Sequence, residues 1–247
     1  MSRARPLVRG MAGTLATVVL LLTGCGTGGP RPVTYVIGPP LVATRSTEPL
    51  IGRPVVELKH VLVPDYLDGS DLMVRRSDNV VSPSLTGRWG ERLSVGVTRA
   101  LAQDLQQRLP GVVVTRTAPL DRPALQILAE IEAFEPRPDG SVVLVARWRL
   151  VDPARQTLLA GERVSLTEPS TGSSDAAMAV GMSRAIDDLA APLAEAVRTA
   201  LTRRRVGELI RPAFRLADAC SAMGDRPGRA SEAWIRCCDT KRPAGCR

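Results

Sequence analysis

Between Leu125 and Leu150 the chain writes a strict two-residue alternation, and this pattern limits the fold more than any other. Leu125, Ile127, Ala129, Ile131 and Ala133 alternate with Gln126, Leu128, Glu130 and Glu132. After Pro136, Pro138, Asp139 and Gly140 the alternation resumes, with Val142, Leu144, Ala146, Trp148 and Leu150 set against Val143, Val145, Arg147 and Arg149. A period of two places one set on a buried face and the other on an outer face, and the Pro/Asp/Gly cluster between them is turn chemistry. The segment is predicted to be an antiparallel hairpin. A turn near residue 138 sets Glu130 opposite Arg147, a cross-strand ion pair worth ~0.2–1 kcal/mol. A two-stranded hairpin is not stable alone, so its apolar face needs a cover.

Two amphipathic segments can supply that cover. Trp89, Leu93, Val97, Leu101, Leu105 and Leu109 recur every four residues and are stopped by Pro110-Gly111, which predicts a helix over 89–109. Met178, Met182, Ile186, Leu189, Leu193, Val197 and Leu201 recur at three and four, after a loop ending in Ser174 as N-cap; Pro192 is expected to kink or divide this second helix. Shorter strands are predicted at 33–38, 55–63, 112–115 and 157–166. A further hairpin is expected for 72–76 with 79–82, turning at Ser77-Asp78. Strands, helix, strands, helix describes an α+β domain: an antiparallel or mixed sheet with two main helices on one face.

The ends differ from this body. Residues 1–24 carry Arg3, Arg5 and Arg9 and no acid; residues 203–247 carry eleven basic groups against five acidic. Residues 25–202 hold nineteen basic groups against twenty acidic, within a chain whose net charge is +8. A nucleic-acid binder would carry its basic groups on a face of the folded body, and the seven aromatics offer little base-stacking surface. Nucleic acid is therefore not an expected partner. Met11 to Leu22 is apolar but too short to span a bilayer, which needs ~20 residues. Behind a positive start, it reads as a signal-peptide core.

Leu22-Thr23-Gly24-Cys25 ends that core and resembles the lipobox of bacterial lipoproteins. In that class the Cys25 position carries diacylglycerol on its thiol, cleavage precedes it, and the new amino group is acylated, on this reading by palmitate. Gly26, rather than aspartate, after the cysteine points to the outer membrane. Further motifs follow in order: Tyr35-Val36-Ile37-Gly38-Pro39-Pro40, Val63-Pro64-Asp65-Tyr66-Leu67, Arg76-Ser77-Asp78-Asn79, Arg88-Trp89-Gly90-Glu91-Arg92-Leu93 and Leu101-Ala102-Gln103-Asp104-Leu105. Together they resemble the ABC-type transport auxiliary lipoproteins, the PqiC-like family that accompanies MCE-type intermembrane lipid transport systems. The resemblance implies a non-enzymatic accessory subunit on the periplasmic side of the outer membrane. It also implies an MCE-family periplasmic protein as partner and ring-like self-association. The expected organisation is a signal peptide over 1–24, a flexible tether over 25–32, the auxiliary domain over 33–205 and a basic, Cys-containing tail over 206–247.

No catalytic constellation competes with that reading. His60, the sole histidine, sits in a strand-like run without a nucleophile-elbow signature. Asp187 and Asp188 are neighbours on a helix and point ~100° apart. No Walker, zincin or dinucleotide motif is present, so neither cofactor nor metal is expected. A periplasmic hydrolase using His60 is the weaker alternative, and a structural envelope lipoprotein gripping anionic polymer with its tail is the other. In the tail, Cys220, Cys237, Cys238 and Cys246 form an even set in an oxidising compartment and lack zinc spacing. Two disulfides are expected; three pairings are open, the vicinal Cys237–Cys238 bond being disfavoured by strain.

Overall fold

In a computed structural model of the protein, residues 31–40, 51–169 and 171–223 are described, with side chains as far as Gly207. The lipobox residues Leu22, Thr23, Gly24 and Cys25, the tail residues Cys237, Cys238 and Cys246, and the side chain of Cys220 lie outside this set.

The order is β1 (Val33–Tyr35), β2 (Val55–Leu58), β3 (Asp71–Ser77), β4 (Val80–Trp89), α1 (Leu93–Arg108), β5 (Val113–Thr115), β6 (Leu125–Pro136), β7 (Ser141–Asp152), β8 (Thr157–Pro169) and α2 (Asp175–Met223). The α+β class and the two helices agree with the sequence reading. The strands, however, form two sheets: a three-stranded one ordered β1-β4-β3 and a five-stranded one ordered β5-β2-β6-β7-β8. Both are mixed. β1 runs parallel to β4, and β2 runs parallel to β5 and β6, while the β3–β4, β6–β7 and β7–β8 pairs are antiparallel. The inner face of β6 and β7 packs with the stripes of both helices in one core. It includes Leu58, Ile127, Ile131, Phe134 and Leu144 from the strands, Leu101 and Leu105 from α1, and Ile186, Leu189 and Leu193 from α2.

The β6–β7 hairpin forms as predicted, with Glu130 opposite Arg147. A bulge between Ile131 and Ala133 then changes the phase, so Ala133 is half-buried and Phe134 takes the core position. The bulge also redirects the ion pair. Arg147 binds Glu132 at 2.7 Å rather than Glu130, and Arg163 of β8 reaches the same carboxylate at 2.8 Å. Two guanidiniums converging on one half-buried carboxylate outcompete the single facing pair.

Trp89 ends β4 instead of opening α1, which starts at Leu93. Its ring is buried all the same, so the sequence stripe marked a core position but not its element. The cap of α1 comes from outside the helix. Arg92, at the N-cap position, makes no side-chain cap bond; the Ser94 N–H instead donates to Asp68 Oδ1 at 2.9 Å. At the start of α2, Ser174 Oγ accepts the Ala177 N–H at 3.2 Å, the expected cap. The second helix passes through Pro192 undivided. A proline removes one intrahelical hydrogen bond and crowds the preceding turn, and here burial of Leu189, Leu193 and Val197 on either side holds the helix together.

Candidate functional site

The first described segment carries the Tyr35-to-Pro40 motif and explains it. β1 is an edge strand of the three-stranded sheet, and just beyond it Ile37 is 2% exposed in the core. Gly38 has a φ of +89°, and a Cβ there would lie 2.6 Å from the Ala100 Cβ on α1. Only glycine meets both the left-handed backbone and the close approach to the helix. Gly96 of α1 opens the opposing space, since a Cβ on it would meet Ile37 at 2.8 Å. Two hydrogen bonds then fix the segment to both helices: Arg99 Nη2 donates to the Ile37 carbonyl at 2.8 Å, and the Gly38 N–H donates to Ser183 Oγ at 3.0 Å. Val33 and Val36 remain exposed at its surface.

The second sequence-singled tyrosine, Tyr66, is 45% exposed and points its hydroxyl inward. That hydroxyl donates to Glu135 on β6, and Arg75 of β3 donates to both oxygens of the same carboxylate. Burial raises the Glu135 pKa, but the hydrogen bonds from Arg75 and Tyr66 outweigh it and hold the group below its ordinary value. Burial and then the neighbouring carboxylate push the Tyr66 phenol up. The Arg75–Glu135 pair therefore stays ionised and the Tyr66 phenol stays protonated, a clamp between the two sheets that leaves the tyrosine ring outside as a fixed surface. Sequence reasoning saw Tyr66 and missed Glu135, whose burial depends on the bulge upstream.

His60 is exposed on the segment after β2. Its Nδ1 lies 3.5 Å from Thr98 Oγ1, but that hydroxyl donates to the Ser94 carbonyl at 2.7 Å and accepts the Val61 N–H at 2.9 Å. Thr98 is thus committed to backbone bonding, and no base–nucleophile pair is assembled there. Asp187 and Asp188 part company as expected. Asp187 binds Arg108 of α1 at 2.7 Å, whereas Asp188 lies against Glu168 of β8 and helps raise that carboxyl, after burial. Among the described residues no group of three His, Cys, Asp or Glu side chains could hold a metal ion.

A cleft of about 610 Å³ lies between the β7–β8 ribbon and the later turns of α2. Asp152, fully buried at the end of β7, sits at one mouth. Its Oδ1 accepts the Ala154 and Arg155 N–H groups, and its Oδ2 accepts Arg155 at 3.3 Å and Arg204 at 2.9 Å. Burial raises its pKa, but these backbone and guanidinium donors more than offset that and keep it low. Arg204 also donates to the Ala124 carbonyl at 2.7 Å, tying α2 to the start of β6.

A family model described as ABC-type transport auxiliary lipoprotein component matches residues 35–194. The intermembrane transport lipoprotein PqiC of Escherichia coli strain K12 is 28% identical over 137 residues, covering 55% of this chain and 72% of that one; the Shigella flexneri protein of the same name gives the same values. Among solved structures, an uncharacterized protein superposes with a TM-score of 0.56 at 22% identity, over 66% of this chain and 97% of the other. A protein from Xanthomonas campestris gives 0.53 at 14% identity, over 72% and 97%. These two establish the fold. Among the described residues no helix is long and apolar enough to cross a membrane.

Proposed function

The chain belongs to the ABC-type transport auxiliary lipoprotein family, and from that premise we propose that it is a lipid-anchored accessory subunit of an MCE-type intermembrane lipid transport system. Cys25 carries the anchor, at the periplasmic side of the outer membrane. The observation that carries the reading is the family match over residues 35–194, and the lipobox eight residues before β1 is consistent with it. Over so short a tether, at ~3.3–3.6 Å per residue, β1 stays within about 30 Å of the membrane surface. The clamping of residues 37 and 38 onto both helices transmits any pull on the tether directly to the core. An exposed edge strand with apolar flanks is a recognised docking geometry, and the near-neutral body makes long-range steering a poor basis for partner choice. The proposed docking face is the β1 edge with Val33 and Val36, Tyr66 beside β3 at the other edge of that sheet is a second exposed contact, and the partner is an MCE-family periplasmic protein.

Photocrosslinkers at Val36 and at Tyr66 should capture that protein in cells, and one at Arg198 on α2 should capture less. Equal capture at all three positions, or none with the transport system intact, counts against this face. Cys25→Ser should abolish fatty-acid labelling and release the protein from the membrane fraction.

A further inference from the structure

The cleft between β7–β8 and α2 has features that packing alone does not require. Its floor is apolar, built from Trp148, Leu150, Leu159, Pro192, Ala196 and Ala200. Its wall on α2 runs from Pro192 to Gly207, about 20 Å at 1.5 Å per residue. The two ends differ in charge. At the Asp152 mouth one carboxylate already serves both Arg155 and Arg204, and Arg203 also lines the cleft with no partner among the described residues. Three guanidiniums around one carboxylate leave that mouth with surplus positive charge. The other end holds Glu162 and Glu195, the latter bound to Arg198 at 2.7 Å. Between them Trp148 is 4% exposed, and its indole N–H has no hydrogen-bond partner among the described residues. Buried polar groups are normally paired; this donor is an enclosed exception, so Trp148 presents its apolar ring rather than its N–H to the cleft. The volume lies within the range of small-ligand pockets, and an apolar trough with a cationic mouth matches one chemistry.

We propose that this cleft binds an anionic amphiphile, its acyl chain along the Trp148–Pro192–Ala196 floor and its acidic head at Arg155 and Arg203. The biological source of that amphiphile rests on the transport reading above; the shared chemistry is a fatty-acyl chain bearing a carboxylate or phosphate.

Trp148 supplies the probe. Brominated dodecanoate, titrated below its aggregation limit into the full chain, should quench tryptophan fluorescence saturably, and Trp148→Phe should remove most of the quenching. Ala196→Phe, which fills the trough from a half-buried position, should abolish binding without loss of thermal stability. Arg203→Glu should weaken binding about tenfold, the scale of one charge-assisted contact. Dodecylamine should compete poorly. Equal competition by the amine, or quenching unaltered by Ala196→Phe in a folded variant, overturns the proposal. Binding that appears only after removal of residues 224–247 overturns it too, because the occupant is then the chain's own tail. Vesicles containing brominated phosphatidylglycerol distinguish the sources: quenching by them assigns a membrane lipid, and quenching by dodecanoate alone assigns a free acid. Crosslinking from Val36 in the Ala196→Phe background keeps this test apart from the transport reading. Retained capture of the MCE protein leaves that reading standing whatever the cleft binds.

Discussion

Single side chains of this protein are tuned most sharply where α1 meets α2. Asp104 is 3% exposed, and its Oδ2 has no partner among the described residues. Burial, then the charge of Asp187, against the attraction of Arg108, raise its pKa to about 6 from 3.8. Between those two values the native state holds a proton that the unfolded chain has lost, so this group's contribution to stability falls as pH rises from about 4 to 6 and stays low above that. Removing the charge reverses the loss. Asp104→Asn is expected to stabilise the protein by about 1–3 kcal/mol at pH 7.5 and by little at pH 4, read from denaturant melts at both values. A gain of equal size at both pH values would mean that packing, not ionisation, governs the site. Asp68 makes the complementary case. Burial raises its pKa, but the Ser94 N–H and Arg92 lower it further, so it is a charged cap held in place from a loop 26 residues away.

At the scale of elements, the later part of α2 is held to the sheet by Arg204, which bonds both Asp152 and the Ala124 carbonyl. Arg204→Ala removes one guanidinium from a fully buried carboxylate that keeps Arg155 and two backbone donors. The expected cost is about 1–3 kcal/mol by equilibrium unfolding, below that of stranding a buried charge outright. Truncation after Gly207 leaves Arg204 and the core stripe of α2 in place and should shift the melting temperature by only a few degrees. A truncation as costly as Arg204→Ala would move the domain boundary past residue 205. The turn from β7 into β8 holds Gln156 at a φ of +53°, a left-handed conformation for a non-glycine residue, directly beside the cleft mouth.

Across the whole molecule the charge is partitioned, with a neutral body between basic ends. The tail is proposed to be stapled by its own cysteines, independently of the body. Peptide mapping of protein taken from the periplasm without reduction should show Cys220 linked to Cys237, Cys238 or Cys246. Four free thiols, or bound zinc, would reject the staple.

Local pattern alone was enough for the hairpin of β6 and β7, its register at Glu130 and Arg147, the stripes of both helices and the Ser174 cap, because each depends on residues within a few positions of one another. The family resemblance was legible for the same reason: its motifs are short. What the tertiary structure decided were the features set by contacts across long separations. The bulge after Ile131 buried Phe134 and passed Arg147 to Glu132, since Arg163 arrives from a third strand. Division into two sheets depended on which strands β1 and β2 joined, and parallel pairing carries no local signature. Gly38 was read as the last residue of a strand over 33–38, and only the approach of Ala100 shows why a side chain is forbidden there. The cleft was invisible for the same physical reason: Trp148 belongs to a regular core stripe and Ala196 lies beside one, and the space between them arises only when α2 lies across the ribbon.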